Sequence, residues 1–218
     1  MKNYILFDLD GTLLNPKEGI TKSIQYALKH MGIEVENLDS LSKFIGPPLR
    51  GSFRDYYNFN EEEVELAMIK YREYFSVTGL FENTTYPDIE EMLQHLQQGG
   101  KKLILATSKP EVFAKQIMDH FHLAQYFEDI CGSTMDASRE KKGDVIRYAL
   151  NKNKITDMEQ VVMIGDRKHD IIGAKENDMD SIGVLYGFGD RQELLEAGAD
   201  HIVETAKELE TLLLKGLE

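Results

Sequence analysis

Two aspartates, Asp8 and Asp10, close the apolar run Tyr4-Ile5-Leu6-Phe7 in the segment YILFDLDGTLLN, with a single leucine between them. In an extended strand, residues two apart point the same way, so the two carboxylates converge. Adjacent carboxylates repel, and one stays protonated unless something intervenes. Two chemistries resolve the conflict: a divalent cation that neutralises the pair, or a proton that one of them holds for acid–base work. Gly11 lets the chain turn away at once, and Thr12 offers a hydroxyl to tie that turn. Asp-Gly alone is an ordinary turn dipeptide. Behind a buried strand, the five-residue pattern DLDGT reads as chemistry.

Other segments add matching groups. In LATSKP, Thr107 and Ser108 supply hydroxyls, Lys109 follows, and Pro110 opens a helix. Hydroxyls and backbone N–H groups at a helix N-terminus favour phosphate; taken alone, Thr107 is a helix-cap residue. MIGDRKHD supplies Asp166 and Asp170, and Gly165 permits close backbone approach. Carboxylates with oxygen co-ligands suit Mg2+, which takes few protein carboxylates plus phosphate and water. The set is a poor zinc site, and the six histidines, His120 and His122 among them, lack ligand spacing. In SREKKGDVIRYAL, Lys141 and Lys142 precede an amphipathic helix. Alone they read as a solvated basic pair, but a phosphate site needs a cation to absorb charge and either would serve. The single cysteine, Cys131, excludes an internal disulfide and reads as core.

The elements that must position these groups are short apolar runs: 4–7, 103–106, 161–164, 181–184 and, more weakly, 201–203. Runs of this length fit strands buried on both faces. Helical patterns over 88–98, 142–151, 170–177 and 191–197 alternate with them. This predicts right-handed βαβ units, a parallel Rossmann-like α/β sheet, and ligands at the carboxyl ends of the strands. Residues 16–84 break the alternation with helix after helix, over 20–31, 38–44, 49–57 and 60–77, the last opening with an Asn60/Glu63 capping box. The expected organisation is an α/β core from 1–15 and 85–218 with an inserted helical cap at 16–84.

Together these residues resemble the haloacid dehalogenase superfamily. DLDGT is similar to its first motif, LATSK to its second, Lys142 to its third and GDRKHD to its fourth, in matching order along nearly the whole chain. The resemblance implies a phosphomonoester hydrolase acting through an aspartyl-phosphate. Asp8 would be the nucleophile and Asp10 the acid–base. Mg2+ would be held by the Asp8 carboxylate, the Asp10 backbone carbonyl and Asp166. Thr107, Ser108 and Lys142 would bind phosphate, with Asp170 in support. Phosphoglycolate phosphatase-like and 5′-nucleotidase-like members are the nearest in pattern. FIGPPLRGSF and GDR look more like the 5′-nucleotidase-like branch, and Arg50 in the cap is a candidate specificity residue. A phosphomutase or pyrophosphatase would share the same core. Outside catalysis, a phospho-acceptor switch would use similar residues, but an acid–base at Asp10 would shorten the life of its phospho-aspartate.

A net charge of −13 argues against a nucleic-acid surface, and no apolar run reaches membrane-spanning length. With no signal-peptide layout, the expected setting is the cytoplasm. The expected partner is a small phosphorylated metabolite, with no nucleic acid, membrane or obligate protein partner. Two glycine motifs carry no nucleotide signal. Gly46 to Ser52 lacks the lysine and preceding strand of a P-loop. GFGD at 187–190 reads as a turn in which Asp190 caps the next helix.

Overall fold

The computed structural model describes residues 2–136 and 138–216. The chain divides into two compact units, one holding the chain up to Leu14 and again from Thr85 onward, the other Asn15–Thr84.

The first unit is built on a six-stranded parallel sheet. Its strands are β1 (Tyr4–Phe7), β4 (Lys102–Pro110), β5 (Asp129–Ser133), β6 (Val161–Gly165), β7 (Asp180–Val184) and β8 (His201–Val203). The spatial order is β5-β4-β1-β6-β7-β8. The short strands β2 (Leu14–Asn15) and β3 (Thr84–Thr85) form a separate two-stranded sheet. In the large sheet the order reverses at β1, the point where such sheets bind ligands. Phe7 is level with Leu105 on one side and Ile164 on the other. Asp8, Thr107 and Asp166 therefore leave the sheet along one edge.

Both side-chain parities of the central strands are buried, as continuous apolar runs require. Leu6, Ile104, Ala106 and Met163 share a core with Val145, Ile146 and Ala149 of α6 (Lys142–Lys152) and Ala174 of α7 (Lys168–Lys175). Ile5, Phe7, Leu103 and Leu105, of opposite parity, are also fully buried. The remaining helices of this unit are α4 (Ile89–Gln98), α5 (Glu111–His120), α8 (Arg191–Ala197) and α9 (Ala206–Lys215). Cys131 lies in the shared core, where burial pushes its thiol up to about 12. His120 and His122 are exposed.

The second unit holds α1 (Lys17–His30), α2 (Leu49–Tyr57) and α3 (Glu61–Phe75). Ile20, Ile24, Ala27 and Leu28 form the buried stripe of α1, and Val64, Ala67, Met68, Tyr71 and Phe75 that of α3. The Asn60/Glu63 capping box is present in both directions, at 3.0 and 2.8 Å. Residues 38–44, expected as a helical piece, form a 3-10 helix capped by Asn37.

Two further expectations are corrected. Thr107 is not a helix cap: it lies within β4, and the helix begins after Pro110. The Thr12 hydroxyl does not tie the first loop. It is buried without a hydrogen-bond partner, and backbone bonds close the turn instead, Gly11 N–H to Leu14 O at 2.8 Å and Leu13 N–H to Leu9 O at 2.9 Å.

Candidate active site

Four aspartates reach the carboxyl edge of the sheet, each from a different local device. Asp8 follows β1 directly, its N–H donating to Ile164 O at 2.9 Å. Asp10 sits in the turn that Gly11 opens at φ +85°. Asp166 follows β6, and Asp170 lies in the first turn of α7, its Oδ2 accepting from Arg167 N–H at 3.1 Å. Asp166 and Asp170 are essentially inaccessible, 0 % and 1 % exposed.

Lys142 joins three of these elements. At the start of α6, its ammonium lies 2.7 Å from Asp8 Oδ1 and 2.9 Å from Asp170 Oδ1, and it donates to Ala106 O at 3.0 Å. Lys141 is exposed as the residue before the helix, so the structure chooses between the two lysines. Burial works against the Lys142 charge, but Asp170 and Asp8 outweigh it and hold the ammonium protonated, its pKa above the ordinary lysine value.

Asp10 pairs with a different lysine. Its Oδ2 lies 2.9 Å from Lys109 Nζ. Lys109 is a residue whose role the sequence reading missed. β4 is irregular between Thr107 and Pro110, and there the Thr107 hydroxyl accepts from Lys109 N–H at 3.2 Å. The lysine is thereby buried beneath the edge. Ser108, on the alternate side of the strand, is exposed. Arg50 belongs to the helical unit, where its guanidinium pairs with both oxygens of Glu65 and holds that carboxyl below its ordinary pKa.

The acids are held under strain of charge. Burial raises Asp166 well above the ordinary carboxylate range, Asp170 adds to the rise, and the Phe188 N–H opposes it. Burial likewise raises Asp10 against the pull of Lys109 and Asp170 against that of Lys142. Four carboxyl groups meet two ammonium groups, so full ionisation would leave an excess of two negative charges.

Among the described residues, Asp8, Asp166 and Asp170 bring carboxylate oxygens within 4.8 Å of one another. Asp166 Oδ1 is buried and meets no hydrogen-bond donor, which is costly unless something takes its place. An all-oxygen trio with an unsatisfied buried oxygen, in a site with more carboxyl than ammonium groups, fits a hard divalent cation. The Asp10 carboxylate lies outside the trio; the ligand expected from that residue is its backbone carbonyl. Asp170, expected only in support, completes the cluster.

Tyr186 and Tyr86 border the same acids, with ring centroids 5.0 Å apart. Burial, then the Asp166 charge, keeps both hydroxyls protonated far above neutral pH.

Acids with open oxygens at the switch point of a parallel sheet are the equipment of an α/β enzyme working on an anionic substrate. The chain belongs to the haloacid dehalogenase-like hydrolases, whose family model matches residues 5–184. It is 47% identical over 190 residues to a 5′-nucleotidase of Pseudomonas aeruginosa, covering 87% of this chain and 86% of that one. It is 35% identical over 208 residues to the tyrosine-protein kinase PtkA of Mycobacterium tuberculosis, covering 95% of this chain and 70% of that one. A solved structure described as a predicted phosphatase from Clostridium acetobutylicum superposes with a TM-score of 0.94 at 51% identity, over 99% of this chain and 100% of that one.

Proposed function

We propose that the chain is a Mg2+-dependent phosphomonoester hydrolase acting through an aspartyl-phosphate on Asp8, with a nucleoside 5′-monophosphate as the favoured substrate class. The observation that carries the reading is the Lys142-tethered Asp8 beside Asp170, held by the same ammonium, and the unsatisfied Oδ1 of Asp166. The 47% identity to a 5′-nucleotidase supports the choice among leaving groups.

Asp8, Asp166 and Asp170 would hold the cation with the Asp10 backbone carbonyl, and the cation would supply charge neutralisation for the phosphoryl group. Lys142 and Thr107 would bind phosphoryl oxygens. In the first half-reaction an Asp8 carboxylate oxygen bonds to phosphorus as the ester P–O bond breaks, and Asp10 gives its proton to the leaving oxygen. In the second, water adds to the same phosphorus, Asp10 recovers a proton from it, and the Asp8–phosphorus bond breaks to release phosphate. A raised pKa suits Asp10 to this task, because it must begin protonated near neutral pH. Lys109 would keep its carboxylate oriented between the two transfers.

Comparing kcat/KM for nucleoside 5′-monophosphates, phosphoglycolate, sugar phosphates and pyrophosphate, with Mg2+ and with excess chelator, tests the reading. Nucleotides should lead and chelator should abolish turnover. Full activity in chelator would remove the cation from the account. A second reading, phosphoryl transfer to a protein tyrosine, draws support from the PtkA relative. It would replace the first if labelled phosphate from ATP passed to tyrosine faster than to water.

A further inference from the structure

The turn Tyr186-Gly187-Phe188-Gly189 has no part in the chemistry above, and the family match ends before it, at residue 184. As the sequence pattern predicts, the next residue caps a helix: Asp190 accepts from Glu193 N–H at 2.8 Å at the start of α8. The same turn also packs against Asp166. Phe188 N–H donates to Asp166 Oδ2 at 2.8 Å. A Cβ on Gly187 would fall 2.5 Å from that oxygen, and closer still to Asp166 Cβ and the Gly11 carbonyl oxygen. A Cβ on Gly189 would overlap the Asp166 carbonyl oxygen, and one on Gly11 would lie 2.6 Å from Asp166 Oδ1. Only glycine allows backbone to wall the carboxylate on these sides. Beyond the turn, Glu193 accepts from Arg167 Nε at 2.9 Å and from Lys168 N–H at 2.8 Å, bracing the residues that follow Asp166.

A carboxylate walled by backbone and pinned through Oδ2 has one orientation. Its other oxygen, Oδ1, is the buried one without a donor. We propose that the Tyr186–Gly189 turn is a backbone clamp that presents Asp166 Oδ1 to the cation, so that residues supplying no ligand set the cation affinity. This inference rests on the reading that Asp8, Asp166 and Asp170 bind the cation. Groups that orient a metal ligand change affinity by roughly 10- to 100-fold when removed.

The test is Mn2+ titration of the cation-free protein by calorimetry, with folding checked by circular dichroism. Gly187→Ala should weaken Mn2+ binding about tenfold or more, while Phe188→Ala, which keeps the N–H, should leave it unchanged. Phe188→Pro, which removes the N–H, should weaken binding similarly. The wild-type protein provides a readout that needs no variant to fold: the Phe188 amide resonance should shift as Mg2+ saturates the site. Folded Gly187→Ala and Phe188→Pro variants that bind Mn2+ within about twofold of wild type would overturn the clamp, as would a Phe188 amide indifferent to Mg2+. Wild-type protein that takes up no Mn2+ would instead overturn the cation reading beneath it.

Discussion

The two edges of one parallel sheet treat their acids in opposite ways. At the amino edge, Asp129 accepts from its neighbour Ile130 N–H at 2.8 Å, Lys152 Nζ at 2.8 Å and Asn153 Nδ2 at 3.2 Å. Asp200 accepts from both the N–H and the hydroxyl of Ser181 at 2.9 Å, and Asp180 pairs with Lys2 at 2.5 Å. Burial alone would raise Asp129 and Asp200, but these donors outweigh it and both carboxyls fall below their ordinary pKa. At the carboxyl edge, burial wins for Asp10, Asp166 and Asp170, and Oδ1 of Asp10 and of Asp166 are buried without a hydrogen-bond donor. Acids that hold a fold together are given their partners by the chain. Acids that do chemistry keep capacity open for groups the chain does not supply.

Substitution at the open edge should remove function with little cost to the fold. Asp8→Asn should bring turnover below detection, because an amide is no nucleophile. Asp10→Asn should lower kcat by about 10²- to 10⁴-fold for alkyl phosphates and less for aryl phosphates, whose leaving groups need no proton. Lys109→Met, which removes the orienting charge from Asp10, should cost about tenfold in kcat with KM little changed, or about 1.4 kcal/mol. Near wild-type turnover by Asp8→Asn would erase the distinction between the edges. The satisfied edge should behave in reverse. Asp129→Ala should cost about 1–3 kcal/mol of unfolding free energy by urea titration, through partners left unpaired, with kcat/KM unchanged.

The pKa contrast gives a prediction in pH. Carboxyls raised in the folded state hold protons that the unfolded chain releases. Their contribution to stability is present below the ordinary carboxylate pKa of about 4 and is lost as pH rises through the raised values. For Asp129 and Asp200 the sign reverses, with stability present above the ordinary value and lost as pH falls through the lowered ones. A cation neutralises the ionised carboxyl edge, so Mg2+ should raise Tm more near pH 7 than near pH 5. An equal rise at both would place its effect elsewhere. The smallest effect is expected at Arg50, already paired with Glu65. Arg50→Ala should change kcat/KM for nucleotides by less than about threefold. A loss confined to nucleotides and exceeding tenfold would instead identify it as the specificity residue.

The open edge was legible in the sequence because its acids interrupt apolar runs, where a charge has no structural reason to be. Asp8, Asp10 and Asp166 stand out on that ground, and Asp170 by its place in the following helical turn. Lys109 was not legible, because its burial depends on an irregularity in β4 that an ordinary lysine after two hydroxyls does not signal. β5 escaped because Asp129-Ile130-Cys131-Gly132-Ser133 has only two apolar side chains and no alternation. The clamp on Asp166 comes from about twenty residues downstream, brought close by the pairing of β6 with β7. Its signal was the glycine pair flanking Phe188, but spacing alone does not say what a glycine must let approach. In the helical unit, the Asn60 cap was readable from local chemistry alone, whereas the pairing of Arg50 with Glu65 depends on how α2 meets α3.

The central claim is that Asp8 carries the phosphoryl group. Borohydride reduces an acyl phosphate on aspartate to homoserine, so the most direct measurement is peptide mass mapping of protein quenched during turnover and then reduced. The account predicts homoserine at Asp8, dependent on both substrate and Mg2+, and, with an aryl phosphate whose leaving group needs no proton, stronger in Asp10→Asn, where the second half-reaction is slowed. Steady turnover with no modification at Asp8 in either protein, or with the modification on another residue, would contradict it.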